Sequence, residues 1–454
     1  MTLGAVTFLV VLAGCAGRQP ARDFSAVRTV AAERLQADVA WPAAGSARPD
    51  VGALMGQELT SARAVQIGLA NNPSIQAVYE RVGLAQADYL EATLLPNPVV
   101  HLAGRLPDRP PSATTIEFSI LGNLVDLLLR PDRMRVSALT VDAAVLDVSA
   151  EVLKFAGDVD VAYFDHLGAL HKHAVMSEIA ATAAASAAAA HRLQEAGNLA
   201  ALAAAREDAL AEQATLAAMR SEVDVATTRA RLGRLLGFGT ASPELKMPPR
   251  LADPPDAPQI PPAAGALAAT RRLDLEAARL AVEARAAAHR TTLDWRWLNF
   301  VQVGMIGERS SDGQLTVGPG ADVELPIFRR HQAEQERTAV ELRQKQQELA
   351  ALALDIENAA ELAAHHVRQQ HGIVERFKAR ILPLQQHIEQ LTQQQVDLML
   401  AGTFELAAAR KELLSTQSDY IDALTAYWIA EADLRRALGG SLEAAALGSG
   451  TAKP

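Results

Sequence analysis

The 454-residue sequence contains an internal repeat, and this repeat constrains the fold more than any other feature. Adding 200 to a position in the first half gives its counterpart in the second, so that 72–77 corresponds to 272–277. Further along the chain the offset grows to about 205, and 196–199 corresponds to 401–404. A unit written twice predicts two copies of one arrangement of helices and strands.

Both copies have the same predicted order: a helix of about 20 residues, two short strands, a very long helix, a glycine-centred turn and a returning helix. The first copy covers 58–240 and the second covers 263–440. Between them, 241–262 holds eight prolines, which predicts an extended linker. The opening helices are predicted at 74–94 and 273–293.

A seven-residue apolar repeat runs through the long helical regions and predicts coiled-coil packing. The last helix carries it at Leu406, Leu413, Tyr420, Tyr427 and Leu434, beside a second stripe of Leu414, Ile421 and Trp428. The first copy carries it at Leu202, Ala209, Leu216, Val223 and Ala230. The outgoing helix, 132–196, would be about 95 Å long at 1.5 Å per residue. Pro383 predicts either a kink or a break in its counterpart.

Four segments alternate apolar and polar residues and predict strands. They are Val99–Arg105, Thr115–Leu121, Asn299–Met305 and Gly320–Ile327. The pattern fits a membrane strand and equally fits a half-buried hairpin. Four strands cannot enclose a lumen, since closed barrels need about eight, and open edges are not tolerated in lipid. A membrane location therefore requires an oligomer, and three copies would supply twelve strands.

Cys15, the only cysteine, ends a short apolar stretch and completes the sequence Leu12-Ala13-Gly14-Cys15. This pattern is typical of a bacterial lipobox, in which the cysteine carries the lipid. We therefore expect a signal peptide at 1–14, a lipid-anchored segment at 15–57 and, at the other end, a disordered tail at 441–454. The lipid on Cys15 is the only expected attached group, and no cofactor is predicted.

Composition and motifs exclude other classes. The chain is 49% apolar yet only 4% aromatic, which favours Ala-rich helices over a layered core. A net charge of −10 argues against a nucleic-acid partner. No phosphate loop, nucleophile elbow, HExxH motif or cysteine nucleophile indicates an enzyme. The histidines of the long helices are expected to be solvated and to bind no metal; they are His171, His173, His365, His366 and His371.

Several segments, in order, resemble TolC-like outer membrane efflux proteins. Ala70–Ile75 and Leu95–Pro98 resemble the opening signature of that family, and Gly320–Phe328 looks like its last strand running into the second long helix. The run from Gly402 to Gly439 is similar to the closing helix. The resemblance covers 58–440 and is closest in pattern to the heavy-metal branch.

The resemblance implies a mainly α-helical protomer of a homotrimer, with a twelve-stranded barrel in the bacterial outer membrane and a helical tunnel through the periplasm. It also implies a periplasmic adaptor and an inner-membrane pump as partners, with heavy-metal cations or drugs as cargo. The adaptor would contact the helix tips at Arg192, Leu193, Gly197, Asn198, Gly402 and Thr403. The barrel lumen would be lined by Glu117, Asp322 and Glu324.

The entrance differs from the family pattern. Several members carry Asp residues shortly after the second tip, and this chain instead has Glu405, Arg410 and Lys411 in the candidate entrance region. Two other functions stay open: a periplasmic coiled-coil adaptor or scaffold lipoprotein, and a protein-secretion duct of the same fold. Adaptors have one helical hairpin within β-rich domains, whereas two hairpins and few strands are predicted here.

Overall fold

The computed structural model describes residues 22–41, 51–106, 108, 114–239, 245–297, 300–328 and 330–441. Long helices dominate, and one small sheet accompanies them. The elements of the first half are α1 Phe24–Leu35, α2 Val51–Met55, α3 Ser61–Asn71, α4 Pro73–Thr93, β1 Val99–Arg105, β2 Thr115–Asn123, α5 Leu124–Glu195 and α6 Ala201–Leu235.

The second half repeats the order of elements from α3 onward. Its elements are α7 Ala264–Arg271, α8 Leu273–Asp294, β3 Val301–Arg309, β4 Leu315–Val323, α9 Gln332–Arg376, a π-helical segment Phe377–Ile381, α10 Leu382–Asp397 and α11 Thr403–Ala437. Residue contacts divide the chain into two units. One contains Glu80–Val148 and Asp274–Leu352, and therefore the sheet; the other contains Val27–Tyr79, Ser149–Leu273 and the chain from Ala353 onward.

Helix α5 is 72 residues long and begins eight residues before its predicted start at 132. Its first turn is capped by Asn123, whose side-chain oxygen accepts a hydrogen bond of 3.0 Å from the Val125 amide. Such a cap satisfies an amide that has no partner within the helix. Pro131 lies inside α5. Although proline has no N–H to donate, the helix continues past it.

Pro383 was predicted to kink or break the second long helix. At this place the structure has a π-helical segment, Phe377–Ile381, which ends two residues before Pro383. Pro383 has no N–H to donate to the carbonyl four residues before it. The wider π turn changes the bonding pattern there, and the Leu382 amide donates to the carbonyl of Phe377, five residues earlier. Helix α10 then starts with proline in its first turn, where a missing donor costs little.

The repeat is visible in how the helices end. Asn71 is the last residue of α3 and Asn72 follows it; their side-chain amides donate to carbonyls at the end of α6, those of Leu236 and Leu235, over 2.9 Å each. In the second copy Arg272 occupies the place of Asn72 and donates to the carbonyl of Ala437 at the end of α11. Both copies therefore satisfy free helix carbonyls with a side chain from the preceding short helix.

The described part of the linker, 245–262, contains no helix or strand, and the long helices hold it. The His171 ring bonds the Pro249 carbonyl and accepts from the Leu251 amide. His371 bonds the Pro255 carbonyl over 2.9 Å, and the Trp428 indole donates to that of Ala252 over 2.9 Å. A segment outside helices and sheets leaves most of its backbone carbonyls without ladder partners, so these three carbonyls can accept the donors of the long helices.

The expectation of solvated histidines was therefore wrong for His171, His173 and His371. The first and last hold the linker, and His173 Nδ1 lies 2.9 Å from the Ser221 hydroxyl of α6. It was correct for His365 and His366, which are exposed. Sequence position alone could not show this difference, because the linker and α6 that bond these rings are distant in the chain.

Candidate functional site

The four strands form one antiparallel sheet in the order β1-β2-β3-β4. Because side chains alternate along each strand, the register assigns every residue to one of two faces. The apolar face consists of Val100, Leu102, Ile116, Phe118, Ile120, Val301, Val303, Met305, Leu315, Val317, Pro319, Ala321 and Val323, with Gly104, Gly122, Gly307 and Arg309. The other face carries every acidic side chain of the strands.

The apolar face is uncovered in the single chain. Leu102 is 73% exposed, Val100 69% and Val317 50%. Among the described residues, no strand pairs with the outer side of β1 or with the outer side of β4. Free strand edges and an exposed apolar face together indicate a surface that needs a further covering, by lipid, protein or both.

The polar face is acidic. Glu117 of β2 lies opposite Glu308 of β3, and Asp322 of β4 lies opposite Gln302. Arg105 offsets part of this charge, since its Nη2 lies 2.8 Å from the Glu117 carboxylate. The structure thus places Glu117 and Asp322 on one face. Glu324 follows the end of β4, where its amide donates to the Phe300 carbonyl over 3.0 Å.

The second strand pair was predicted in the wrong place. The predicted segments 299–305 and 320–327 are instead β3 at Val301–Arg309 and β4 at Leu315–Val323. A tight turn at Ser310–Gln314, with Gly313 at a φ of 86°, fixes the register. The alternation after Val323 includes Pro326, which has no N–H for pairing. This error hid Glu308, which the true strand places on the acidic face.

The turn between α5 and α6 is closed by Gly197, which has a φ of +75°. The Asn198 amide donates to the Leu193 carbonyl over 2.8 Å, and the Gly197 amide donates to Gln194. This is the left-handed helix ending that the sequence predicted for Gly197. Arg192 and Leu193 lie in the last turn of α5, so these four predicted tip residues are together.

The turn between α10 and α11 differs from the prediction. Gly402, the predicted centre of this turn, has a φ of −85° and instead caps α11 ahead of Thr403. The left-handed residue is Met399, with a φ of 58°, because α10 already ends at Asp397. A non-glycine residue is strained there by about 1–2 kcal/mol. Met399 is 94% exposed, between Leu398 at 70% and Leu400 at 76%.

The predicted heptad seam of α6 is not buried by its own chain. Leu202 is 65% exposed, Leu216 48% and Val223 63%. The buried residues of α6 are small along most of the helix, among them Ala204, Ala214 and Ser221, and include Leu232 and Leu235 near its end. Small residues allow α6 to pack closely on its neighbour, while Leu202, Leu216 and Val223 point outward.

The candidate entrance residues lie at the start of α11. Glu405 is in its first turn and is exposed. Arg410 lies 3.8 Å from the Glu178 carboxylate of α5. Lys411, the next residue, is half-buried. The structure therefore places Arg410 at the contact between two long helices.

Three further ion pairs follow the same contact between α5 and α11. Lys172 pairs with Asp422 over 2.7 Å, Asp158 with Arg436 over 2.8 Å, and Asp160 with Arg435 over 3.5 Å. Residue numbers fall along α5 as they rise along α11, so the helices are antiparallel. The helices approach closely at Gly168, where a Cβ atom would lie 2.1 Å from the Thr425 hydroxyl.

A cavity of about 410 Å³ lies beside this contact. Arg435 connects two carboxylates in its wall, with Glu431 at 3.0 Å in addition to Asp160. Burial raises the pKa of Asp160, although Arg435 and the Ser61 hydroxyl oppose the rise. Burial also raises the pKa of Glu431 against the opposing effect of Arg435. Every member of this cluster has a side-chain partner, which is consistent with a structural role.

The described residues contain no group of three or more histidine, cysteine or acidic side chains suited to holding a metal ion. Across the same ranges, no helix combines the length and apolar character needed to cross a bilayer. Cys15 lies outside the described residues, and so does the predicted tail at 441–454 apart from Ser441.

The fold is similar to that of several solved membrane proteins. The chain superposes on the CmeC outer membrane channel of Campylobacter jejuni with a TM-score of 0.71 and 14% identity, covering 84% of this chain and 85% of CmeC. A membrane protein from Pseudomonas aeruginosa gives 0.70 and 18%, covering 83% and 92%. The open MtrE outer membrane channel of Neisseria gonorrhoeae gives 0.65 and 16%, covering 84% and 89%.

Sequence comparisons add no relative. No protein-family model matches the chain, and no curated protein matches it. At 14–18% identity the structural likeness establishes the fold, and it does so over most of both chains. It confirms the mostly helical architecture with a small sheet that the TolC-like resemblance implied. It does not distinguish the heavy-metal branch from the others.

Proposed function

We propose that this protein is the outer-membrane exit duct of a tripartite efflux system, a passive channel and not an enzyme. The observation that carries the proposal is the sheet: one face is apolar and exposed, the other is acidic, and each edge strand has one side to which no described strand pairs. In a membrane, the apolar face suits lipid and the acidic face suits a water-filled lumen.

Three copies would join the free edge of β1 in one chain to that of β4 in the next, giving twelve strands. Such closure removes the unpaired backbone groups that lipid does not tolerate. The exposed stripe of Leu202, Leu216 and Val223 on α6 supports an oligomer, because it is a coiled-coil seam without a partner in its own chain. On this proposal Glu117, Glu308 and Asp322 line the lumen.

The two helix tips are the proposed contact for a periplasmic adaptor, which would connect the duct to an inner-membrane pump. The Arg192–Asn198 turn supplies one tip, and Leu398–Thr403 supplies the other. The second presents three large apolar side chains at 70–94% exposure, with Met399 held in a strained conformation. Strain combined with an exposed apolar residue is typical of a binding site.

The lipobox pattern supports attachment of a lipid to Cys15, which would hold the chain at the outer membrane. Replacing Cys15 with alanine leaves no cysteine, so labelling with radioactive palmitate should disappear completely. Retention of label would contradict the anchor. For cargo, heavy-metal cations and drugs are both compatible with a duct that conducts what its pump delivers.

The test is conductance of the purified protein in planar bilayers, after separation of trimer from monomer. We expect discrete conductance steps from the trimer and none from the monomer. A protein that stays monomeric in mild detergent and never conducts would instead support the periplasmic scaffold. A protein-secretion duct of the same fold would conduct as well, and the neighbouring pump genes distinguish it.

A further inference from the structure

Two arginines and a tryptophan come together where the second strand pair joins its helices. Arg296 and Trp297 lie between α8 and β3, and Arg330 lies between β4 and α9. The guanidinium carbon of Arg296 is 5.5 Å from the centre of the Trp297 ring, and that of Arg330 is 5.8 Å away. Both distances allow a cation–π interaction. One indole therefore holds two positive charges in a small area.

This cluster is open to a ligand. Trp297 is 54% exposed, and both arginines are exposed. Within the described part of the chain, neither guanidinium forms an ion pair. Arg296 uses one nitrogen to donate to the Leu293 carbonyl over 3.2 Å, which leaves its other donors for a partner. Two neighbouring cations without a carboxylate favour an anion.

Exposed apolar residues lie in the same connection between β4 and α9 as Arg330. Leu325, Ile327 and Phe328 follow β4 directly, and they are 68%, 58% and 92% exposed. Both connections leave the sheet at the end from which the helices emerge. A ligand here would meet two cations, an indole and a hydrocarbon surface together, and an anionic phospholipid has the matching chemistry.

We propose that Arg296, Trp297 and Arg330 bind the headgroup of an anionic phospholipid in the leaflet on the helical side of the sheet. The guanidinium groups would bind the phosphate, since their planar donors match its oxygens. The indole would lie at the level of the headgroup, which tryptophan favours. Leu325, Ile327 and Phe328 would contact the acyl chains. This site rests on the proposed membrane position of the sheet.

The two arginine charges should favour one phospholipid headgroup over another. Phosphatidylglycerol presents a phosphate and no cation, whereas the ammonium of phosphatidylethanolamine would face two arginines. Each basic residue near an anionic lipid surface contributes roughly five-fold in affinity. We therefore expect a preference for phosphatidylglycerol that falls by about five-fold for each arginine removed.

Native mass spectrometry tests this on the full-length protein, loaded in mild detergent with equal amounts of the two lipids in matched acyl chains. Arg296→Gln and Arg330→Gln should each reduce retained phosphatidylglycerol, and the double variant should lose the preference. Arg368→Gln is the matched control, because Arg368 is an exposed arginine of α9 outside the cluster and the substitution makes the same charge change. It should retain the wild-type preference.

Equal retention of the two lipids by the wild type would overturn the site, as would a double variant that keeps the preference. If the double variant does not assemble, the two single variants decide the question. Conductance measured on the same preparations tests the proposed channel function independently of the lipid site. A non-conducting wild type with a preference that depends on these arginines overturns the channel and keeps the lipid site.

Discussion

Glu117 of β2 and Glu308 of β3 lie directly opposite each other on the acidic face of the sheet. Like charges at opposite positions destabilise a strand pair, and Arg105 neutralises only one of the two carboxylates. If this face lines a lumen, the acidic pair would attract cations to it. The net charge of this face should therefore set the ion selectivity of the channel.

Two substitutions that change the net charge of the acidic face in opposite directions test this selectivity. Glu308→Gln should make the conductance less cation-selective, and Arg105→Gln should make it more so, because the Glu117 carboxylate is then no longer paired. The reversal potential across a KCl gradient measures both. Shifts in the same direction would contradict a lumen on this face.

Neighbouring residues of β2 distinguish a membrane sheet from a half-buried hairpin. Ile120 lies on the apolar face and is 47% exposed, and Ser119 lies on the other face. An arginine facing lipid costs about 2–4 kcal/mol near the bilayer centre, whereas an arginine in a wet lumen costs little. Ile120→Arg should reduce the assembled trimer in membranes, and Ser119→Arg should preserve it. Equal tolerance would argue for a sheet outside the membrane.

The sequence predicted the helices better than the turns and the strand register. The 3.6-residue and seven-residue periods extend over many turns, so α4 and α8 were placed within a residue or two. The register of the second strand pair is set by one tight turn at Gly313. The alternation of apolar and polar residues beyond Val323 led the prediction to place the last strand too far along the chain. Met399 shows a different limit, since a left-handed methionine is stable only when the surrounding structure offsets its strain.

The seam between α5 and α6 contains a buried histidine that should make stability depend on pH. The Nδ1 atom of His166 lies 3.0 Å from the Thr228 hydroxyl. That hydroxyl donates its proton to the Asp224 carbonyl, so the ring donates to it. Burial, together with nearby Arg229, lowers the pKa of His166 to about 4.

The sign of the effect follows from this lowered pKa. Between about pH 6.5 and pH 4, the unfolded chain binds a proton at His166 and the folded chain does not. Stability should therefore fall as the pH drops through this window, by at most about 3 kcal/mol. His166→Asn keeps a donor near Nδ1 and should remove that part of the decline in melting temperature. His365→Asn, on an exposed position of α9, should leave the decline unchanged.

The hydrogen bond from Trp428 to Ala252 should restrain the linker. Trp428→Phe keeps a ring against Phe164, 5.4 Å away in the wild type, and removes the indole donor. Loss of one such bond costs about 1 kcal/mol. Trypsin cleavage after exposed Arg250 should then be about five-fold faster. Trp295→Phe, outside this contact, is the control, and an equal increase there would contradict the role of Trp428.

The Arg410–Glu178 contact should restrain the start of α11 against α5. Both side chains are more than half exposed, so the pair is weak, yet a reversed charge would turn attraction into repulsion. Under the proposed function, the α10–α11 tip lies at the entrance of the duct. Arg410→Glu should therefore release α11 and raise the single-channel conductance. Lys411→Glu makes the same charge change on the next residue, for which the described side chains offer no ion-pair partner.

The charge swap makes this prediction specific to the pair. Combining Arg410→Glu with Glu178→Arg restores opposite charges at 3.8 Å and should return the conductance toward the wild-type value. Adding salt should reduce the difference between the single variant and the wild type, because exposed charges are screened over about 8–10 Å. If the double variant conducts like Arg410→Glu alone, the contact does not hold the entrance, and the charge of residue 410 acts on the permeating ions instead.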